Sequence, residues 1–453
     1  MADYLNALVE IITSNVKILN DAYAKDDRKF PSLDQPFETT PSTGANAKAV
    51  QEATRLIVAA TTQLATSVRS PMEVLFDQAA GMYNTVTLGF ANDHNVADLL
   101  EEVGPKGLGA EEIGKRIGVD GAYVARCLRY LATRHIFREV SPNIFANNRL
   151  SSILVKSKPF KDIETDLMTK YDNAPASALV SHCTDEGFMG SRSFVEFMKE
   201  PKGYASPFSM TIQQHTNMFD WFEQAGQKWR AHRFATAMKA PASLWGKGGF
   251  DSAFDWNALP VGSTIVDVGA SIGIVTMEIA RAAPQHKYIM HDLEGAIKEA
   301  RRHWASEWPQ AINDGIVTLE VHSFFEPMPV AADVYFLRCI IHDWPEADCR
   351  KILGHIHAAA KSTSKLILFE MMALHACPDE QSGNPTAPYP LLANLGVAAG
   401  GFITMADMQM LSLLDGRERT ASEYGELGRL TGWKLESVKP GPIAAFIFSK
   451  VTA

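Results

Sequence analysis

The chain has 453 residues, with 43 Lys and Arg against 52 Asp and Glu, which gives a formal net charge of −9. That length favours two to four domains, and the 46% hydrophobic content is enough for a large core, so collagen-like, low-complexity and wholly disordered chains are excluded. The negative charge gives the molecule as a whole no electrostatic attraction to nucleic acid or to anionic membranes.

Other features of the composition indicate where the protein works. The longest apolar run, residues 443–448, is far shorter than the roughly 20 residues that cross a bilayer. The first residues, MADYL, lack the basic and apolar regions of a secretory signal. Five scattered cysteines without a Cys-x-x-Cys pair favour free thiols in a reducing compartment over a zinc or disulfide framework. We therefore expect a cytoplasmic protein with no membrane partner.

Residues 1–204 are predicted to form a mostly helical domain. Apolar side chains recur at helical spacing over residues 1–24, and a linker rich in Lys, Asp, Pro, Ser and Thr follows at about 25–45. Further helices are predicted at about 45–68 and from Pro71 onwards. A helix attached by such a linker cannot bury its apolar stripe alone, so it must pack on the body of the protein or on another chain.

Residues 90–155 have the pattern of a winged helix. Helices are predicted at 110–117 and 122–133 with a short turn between them, and a hairpin follows at 136–147. Residues 105–138 hold seven Lys and Arg against three acidic residues, a local charge of +4. Taken alone, this segment would resemble a DNA-binding regulator, but the negative charge of the whole chain opposes that function.

Residues 205–453 are predicted to form the second domain. After a helical, aromatic-rich segment, strands and helices alternate, which predicts an open α/β sheet with helices on both faces. The last two strands follow each other directly, so one of them should run antiparallel at the end of the sheet. The seven strands are predicted at 264–268, 287–291, 316–321, 333–337, 365–370, 432–438 and 443–449. The patterned helices are predicted at about 274–282, 294–304, 346–361, 404–414 and 421–431.

The sharpest local motif is Asp-x-Gly-x-x-x-Gly, which starts at Asp267 near the end of the first of these strands. Gly269 permits a tight turn, Gly273 lets the next helix lie near a bound ligand, and Asp267 would face the polar part of that ligand. Asp292 ends the following strand, where an acid can accept two hydrogen bonds from a ribose diol. A surface turn is the alternative for each motif alone, but their order favours a nucleoside. Without the Gly-x-Gly-x-x-Gly of dinucleotide sites, the ligand indicated is S-adenosylmethionine.

A histidine follows the fourth strand, and two glutamates in later segments are candidates to lie beside it. His342 lies just past the strand's C-terminal end, where open α/β sheets bind ligands, and an imidazole can take a proton from a phenol near neutral pH. Glu370 ends the next strand and Glu418 lies in the segment GRERT. A lone histidine is more often structural, but a carboxylate beside the ring orients it and stabilises the imidazolium.

These segments resemble the class I S-adenosylmethionine-dependent O-methyltransferases, in particular the plant caffeic-acid and flavonoid enzymes and the fungal polyketide enzymes. The resemblance covers about residues 90–453 and implies a Rossmann-like methyltransferase domain with a seven-stranded sheet. It also implies that the preceding winged-helix domain forms a homodimer and binds no nucleic acid. The segments that carry it are VDVGASIG, HDL, LRCIIHDWPEADCRKIL, LILFEMM and DGRERTASEYGELGRLTGW.

The resemblance also implies a role for individual residues. His342 would deprotonate an aromatic hydroxyl, Glu370 and Glu418 would hold and polarise its imidazole, and no metal would be needed. The residues expected to bind the methyl donor are Asp267, Gly269, Gly273, Asp292, Leu293, Ser323, Phe324 and Arg338. Those expected around a small aromatic acceptor are Phe208, Met210, His215, Met218, Asp343, Met410 and Leu414. Core packing is the alternative for the Met and aromatic residues of that set.

Three features depart from the family pattern and keep an alternative open. Ser323 stands where these enzymes usually carry an acid beside the adenine, and Arg338 stands where plant members often carry Lys. Residues 373–402 form an insert that is either a lid over the acceptor or a solvated loop. Some fungal proteins resembling this family bind the donor without consuming it and steer dehydration or pericyclic reactions. An S-adenosylmethionine-binding pericyclase or dehydratase is therefore the alternative function, although the complete set of the histidine and two glutamates favours methyl transfer.

Overall fold

A computed structural model of the chain describes residues 3–38, 47–163, 166–240, 250–379, 386–441 and 443–452. Contacts divide the chain into two units. The first consists of Met1–Leu244 and Tyr389–Leu391, and the second of Trp245–Pro388 and Leu392–Ala453. The division by contacts thus lies later in the chain than the expected boundary at residue 204.

The first unit is mostly helical. The helix predicted from Pro71 is present, and the two before it match the predicted bounds to within a few residues. A π-helical turn, Cys183–Gly187, joins two of the later helices. The helices of this unit are Tyr4–Lys25, Ala47–Val68, Pro71–Ala79, Met82–Asp93, Val96–Val103, Ala110–Ile117, Gly121–Ala132, Phe160–Ile163, Pro175–His182, Phe188–Arg192, Phe194–Lys199, Pro207–Thr211, Met218–Phe222 and Lys228–Ala237.

The predicted winged helix is confirmed. Gly118 (φ +72°) ends the first of its two helices, and the Asp120 side chain caps the second by accepting the Ala122 N–H at 2.7 Å. The hairpin pairs with a short strand that precedes the first helix, in the order β1-β3-β2. The three strands are β1 (Leu108–Gly109), β2 (Arg138–Ser141) and β3 (Ile144–Ala146).

Part of the predicted linker is fixed to the end of the winged helix. The Arg149 N–H donates to the Leu33 carbonyl at 2.8 Å, and the Phe37 N–H donates to the Ser152 hydroxyl at 2.8 Å. Residues 39–46, which include the rest of the linker, lie outside the described residues. The described part of the linker is therefore hydrogen-bonded to the body of the first unit.

A buried ionic cluster explains why the contact boundary lies after residue 204. Arg233, on the helix Lys228–Ala237, is 2% exposed, and its guanidinium contacts the carboxylates of Glu186 and Asp185. Glu186 is itself buried and also lies 3.0 Å from the His182 ring. Charges this deep are stable only with their partners in place. The helices after residue 204 therefore pack with those before it.

The predicted seven-stranded sheet is confirmed in the second unit, and each strand begins and ends within one residue of its predicted bounds. The order is β6-β5-β4-β7-β8-β10-β9. Strand β10 is antiparallel to both of its neighbours, and the other pairings are parallel. The strands are β4 (Thr264–Val268), β5 (Lys287–Asp292), β6 (Val317–Val321), β7 (Val334–Arg338), β8 (Lys365–Glu370), β9 (Trp433–Lys439) and β10 (Ala444–Lys450).

Alternate strand residues of this sheet pack into two separate cores. Ile265 of β4 packs in the core that contains Trp304, and its neighbour Val266 packs in the core that contains Tyr424.

Across the described ranges, no helix is long and apolar enough to cross a membrane. The helices of the second unit are Phe250–Ala253, Ile274–Ala282, Glu294–Glu307, Pro309–Asn313, Glu346–Ala359, Gly400–Leu414 and Ala421–Leu430.

Thr420 caps the helix Ala421–Leu430 in a reciprocal arrangement with Glu423. The Glu423 N–H donates to the Thr420 hydroxyl at 3.3 Å, and the Thr420 N–H donates to the Glu423 carboxylate at 2.8 Å. We expect Thr420→Ala to lower the free energy of unfolding by about 1 kcal/mol, measured from urea unfolding followed by circular dichroism. Thr420→Ser keeps the hydroxyl and should restore most of the loss. Equal losses in both variants would contradict this role.

Candidate active site

The predicted donor residues gather where four neighbouring parallel strands end. Strands β5, β4, β7 and β8 run in the same direction, so their carboxyl ends lie at one edge of the sheet. Asp292, Arg338 and Glu370 are the last residues of three of these strands, and Gly269 directly follows the fourth. This edge is where open α/β sheets bind ligands.

Two glycines shape the turn after β4. Gly269 has φ +77° and Gly273 has φ +80°, a region of backbone conformation that favours glycine. The Gly269 N–H donates to the His291 carbonyl at 2.9 Å. A Cβ atom at Gly269 would overlap the Ile340 side chain, and one at Gly273 would lie 2.6 Å from the Trp304 ring nitrogen. The turn can therefore pack against Ile340 and Trp304 only because both residues lack a side chain.

The Asp292 carboxylate fastens this turn to the end of β5. It accepts the Ser271 N–H at 2.7 Å through one oxygen and the Leu293 N–H at 2.7 Å through the other. Each carboxylate oxygen has a second lone pair, so two further hydroxyl donors could be accepted. Burial raises the pKa of Asp292 above its usual range. Leu293 beside it is 62% exposed and offers an apolar surface.

Asp267 is placed differently from the sequence expectation. Its side chain is buried and accepts a hydrogen bond from the Thr276 hydroxyl on the helix that follows the turn. Burial raises the pKa of Asp267 to about 7, and the charge of Asp292 acts in the same direction. Asp267 therefore stabilises the turn from the protein interior, through its hydrogen bond to the helix that follows.

The remaining predicted donor residues present different chemistry. The Ser323 hydroxyl accepts the Phe325 N–H at 3.3 Å, and the Phe324 ring lies 5.8 Å from that of Trp344. The Arg338 Nε is buried and has no hydrogen-bond partner among the described residues. Buried donors are normally satisfied, so this nitrogen suits an anionic group of a ligand. The Asp292 carboxylate, which can accept hydrogen bonds from a diol, fits the ribose of S-adenosylmethionine. The Phe324 ring fits its adenine, and the Arg338 cation fits its carboxylate.

His342 lies in a short 3₁₀ turn after β7, and the structure pairs it with Glu418. Its Nδ1 is 2.8 Å from a Glu418 carboxylate oxygen, and both side chains are buried. The Arg417 N–H donates to the His342 carbonyl at 2.9 Å, and a Cβ atom at Gly416 would collide with that carbonyl. Direct backbone packing of the two loops therefore fixes the imidazole against its carboxylate.

Glu370 acts on the loop and makes no hydrogen bond to the imidazole. One of its oxygens accepts the Ile340 and Ile341 N–H groups at 3.1 and 2.8 Å. The other oxygen is buried without a partner in the described part of the chain, and burial raises the pKa of Glu370 to about 7. Of the two predicted glutamates, Glu418 therefore contacts the ring, while Glu370 contacts the backbone of the loop that carries it. The catalytic role of each remains a prediction.

The charges around His342 favour its protonated form. Burial alone would lower the pKa of His342, but the carboxylates of Asp343, Glu418 and Glu370 raise it well above the usual value. Asp343 Oδ1 lies 3.5 Å from His342 Nε2, and burial raises the pKa of Asp343 to about 6. With Nδ1 held by Glu418, the atom that can exchange a proton with a ligand is Nε2.

The predicted acceptor residues fall in both units. In the second unit, Met410 is half-buried and Leu414 is buried on the helix Gly400–Leu414. In the first unit, the His215 ring stacks on Tyr204 at 4.3 Å. Their contact with an acceptor remains a prediction. Three others are core residues of the first unit: Phe208, Met210 and Met218.

Two residues that support the site were not predicted. Arg419 is fully buried and donates to the Ile341 carbonyl at 3.2 Å and to the Glu346 carboxylate at 3.1 Å. Asp407 accepts the Glu418 N–H at 2.8 Å. The segment GRERT contained Arg419, but nothing in its pattern distinguished this arginine from a surface charge.

The strand order, the glycine turn and the acid on the next strand define a Rossmann-like methyltransferase fold. Comparisons with known families agree. Residues 219–434 match the model of an O-methyltransferase domain, and residues 76–157 match the model of an O-methyltransferase dimerisation domain.

Relatives over the full length identify the family. An O-methyltransferase of Armillaria gallica is 33% identical over 97% of this chain and 96% of its own length. The 4-O-methyltransferase 1 of Phanerochaete chrysosporium is 30% identical, again over 97% and 96%. The chain therefore belongs to the O-methyltransferase family and is an O-methyltransferase. Among solved structures, a pericyclic reaction enzyme aligns with a TM-score of 0.65 and 19% identity over 97% of this chain and 99% of that one, which shows a shared fold.

Proposed function

We propose that this enzyme transfers the methyl group of S-adenosylmethionine to a hydroxyl of a small aromatic molecule of phenolic, flavonoid or polyketide type, with His342 as the base and without a metal. The observation that carries the proposal is the buried pair of His342 and Glu418, 2.8 Å apart. It lies beside the strand ends that carry the donor residues.

The pair accounts for the removal of the hydroxyl proton. Because the Nδ1–H donates to Glu418, the lone pair lies on Nε2, which takes the proton. The three carboxylates around the ring stabilise the imidazolium that results. Because the pKa of His342 is raised, it also lies closer to the pKa of a phenol, which is near 10. S-adenosylmethionine, when bound, supplies the electrophilic methyl group on its sulfonium.

Alignment of the methyl donor with the acceptor hydroxyl accounts for much of the remaining rate enhancement. Holding two reactants in line contributes about 7–11 kcal/mol in well-oriented systems. Glu370 serves this alignment because it binds two N–H groups of the His342 loop. Arg419 serves it from the other side through the Ile341 carbonyl.

We assign the donor residues by the chemistry each presents. Asp292 binds the ribose diol, Arg338 binds the carboxylate, and Leu293 packs on the adenine. Ser323 and Phe324 lie along the adenine, where an uncharged hydroxyl and an aromatic ring can still bond and stack. Asp267, Gly269 and Gly273 form the turn that lets the backbone come close.

Within the second unit we assign the acceptor site to Asp343, which lies beside His342 Nε2, and to Met410 and Leu414 of the predicted set. A homodimer through the first unit is supported by the dimerisation domain at residues 76–157. Large apolar side chains are exposed on the helix Pro71–Ala79, which overlaps the start of this domain, with Met72 at 74% and Phe76 at 73%. The free cysteines fit a reducing, cytoplasmic setting.

Asp292→Asn is expected to weaken binding of S-adenosylmethionine about 10–100-fold, because hydrogen bonds to a charged group contribute about 1.5–3 kcal/mol. Isothermal titration calorimetry with the donor alone measures this effect. Glu294→Gln removes an exposed carboxylate two residues further on and serves as the matched control. Equal affinity in the two variants would remove Asp292 from the donor site.

The function itself is tested with the purified protein, S-adenosylmethionine and a panel of phenols, flavonoids and aromatic polyketides. We expect S-adenosylhomocysteine and a product heavier by one methylene, formed equally in the presence of a chelator. A panel with no methylated product would contradict the proposal.

The alternative expected from the sequence is a pericyclase or dehydratase that binds S-adenosylmethionine without consuming it. The pericyclic reaction enzyme noted above shares the fold over nearly the whole chain, and a shared fold does not favour either reaction. In the same assay this function would give a rearranged or dehydrated product while the donor remains intact. The intact His342–Glu418 pair favours methyl transfer.

A further inference from the structure

Three different types of metal ligand meet beside the proposed base. The Cys339 thiol, the His342 imidazole and the Glu370 carboxylate each offer one donor atom, and these atoms all lie within 4.8 Å of one another. Within the described ranges, this is the one group of three or more such side chains that satisfies that distance. The cluster therefore stands apart from the exposed acidic groups common on protein surfaces.

The backbone holds two of the three ligands in place. Cys339 follows β7 with φ +51°, and its N–H donates to the Phe369 carbonyl on β8 at 2.9 Å. Glu370 is fixed by the two N–H groups that its Oε1 accepts, and its Oε2 is buried without a partner in the described part of the chain. A buried carboxylate oxygen with no donor is an unsatisfied acceptor, and a cation would satisfy it.

The local charge also suits a cation. Three carboxyl groups surround the imidazole: an Asp343 oxygen lies 3.5 Å from Nε2, a Glu418 oxygen lies 2.8 Å from Nδ1, and a Glu370 oxygen lies within 4.8 Å of a ring nitrogen. The guanidinium of Arg419 is already engaged with Glu346 and with the Ile341 carbonyl. No Lys or Arg of the described chain is hydrogen-bonded to these carboxylates, so a divalent ion bound to the neutral imidazole would replace the charge of the imidazolium beside them.

The donor set selects the kind of ion. Thiolate, imidazole and carboxylate together are ligands of Zn²⁺, whereas Mg²⁺ and Ca²⁺ prefer oxygen donors. Bonds of about 2.0–2.3 Å place tetrahedral ligands about 3.5 Å apart, so the three donors need to approach by about 1 Å through side-chain rotation. An ordinary thiol has a pKa of about 8.5, so binding near neutral pH would release the thiol proton to solvent.

We propose that Cys339, His342 and Glu370 bind Zn²⁺ or a similar thiophilic divalent cation, and that the bound ion inhibits the enzyme. The ion would occupy the lone pair with which His342 accepts the hydroxyl proton, so His342 cannot act as the base while it binds the metal. The inhibition rests on the proposed function. The binding does not, and the two are measured separately.

Binding is tested on the full-length, chelator-treated protein with Co²⁺ as a spectroscopic probe, because thiolate ligation of Co²⁺ gives a charge-transfer band. We expect one Co²⁺ per chain with this band, displaced by Zn²⁺. Cys339→Ser should lose the band and weaken binding at least about 100-fold, the upper end of the range for losing a residue that only supports a metal ligand, and Cys339→Ala should do the same. Cys377→Ser removes an exposed thiol and should leave both unchanged. A missing band in the unmodified protein, or an unchanged band in Cys339→Ser, would overturn the site.

Activity separates the inference from the proposed function. Zn²⁺ should inhibit methyl transfer at concentrations that match its binding, while Cys339→Ser keeps its metal-free activity and resists inhibition about 100-fold. Co²⁺ binding through Cys339 in a protein that methylates no phenol would support the metal site and overturn the function. Methyl transfer that Zn²⁺ inhibits equally in both proteins would support the function and overturn the metal site.

Discussion

His342→Ala is expected to lower kcat for phenol methylation by a factor of about 10²–10⁴, the range for loss of a general base, while the affinity for S-adenosylmethionine stays unchanged. In the proposed site the side chain offers its Nε2 atom to the acceptor. Gly269 and Asp292, which we assign to the donor, bond elsewhere: the Gly269 N–H donates to the His291 carbonyl, and the Asp292 carboxylate accepts the Ser271 N–H. Single-turnover rates and donor titration by calorimetry measure the two quantities independently.

The acceptor's acidity provides a sharper test of the same residue. A phenol whose pKa lies well below the assay pH is already ionised and needs no base, so His342→Ala should lose far less activity with it than with an ordinary phenol. His375→Ala removes an exposed histidine of the same unit and should be indistinguishable from the unmodified enzyme. An equal loss with both kinds of phenol would mean that His342 has a structural role.

The architecture of the second unit could be predicted closely because its local patterns agree with its tertiary packing. Buried strands appear as short apolar runs, and the helices between them show a period near 3.6 residues. One deviation has a local cause: the helix predicted to start at 404 begins at Gly400. The first turn contains Gly400 and Gly401. Because glycine has a low helix propensity, the sequence did not indicate a helix there. Gly400 is required there because a side chain would collide with Asn394.

Other features could not be predicted because they depend on distant residues. The boundary between the units follows from the contacts of Arg233 with Glu186, which are 47 residues apart. Likewise Glu418 lies 76 residues from His342. The sequence suggested that the two residues act together, but only the family resemblance gave them a shared role. The sequence placed Glu370 at the end of its strand, but whether its carboxylate meets the ring or the loop backbone depends on how Ile340 and Ile341 turn. Arg419 was missed for the same reason.

The pH dependence of the unmodified enzyme follows from the charges around the base. His342 accepts a proton only when neutral, and its neighbours raise its pKa well above the usual value. Activity should therefore be lost as pH falls through this raised pKa and should still increase with pH above neutrality. A rate that is already maximal below the usual histidine pKa of about 6.5 would contradict the charge arrangement around the ring.

Glu418→Gln is expected to lower kcat by a factor of about 10²–10⁴, since an amide in place of the carboxylate can leave the imidazole in the wrong tautomer. The glutamine NH₂ can donate to Nδ1, which moves the ring proton to Nε2 and removes the lone pair from the acceptor side. The substitution also removes one of the charges that raise the His342 pKa. The residual activity should therefore persist to lower pH than that of the unmodified enzyme.

The direction of that pH shift distinguishes a positioning role from general damage to the fold. Misfolding lowers the rate at every pH and leaves the midpoint unchanged, whereas loss of the Glu418 charge moves the midpoint to lower pH. Glu426→Gln removes an exposed carboxylate on the following helix and should change neither quantity. Because the two residues act as one unit, adding His342→Ala to Glu418→Gln should cost little more than His342→Ala alone. Fully additive losses would show that Glu418 does not work through His342.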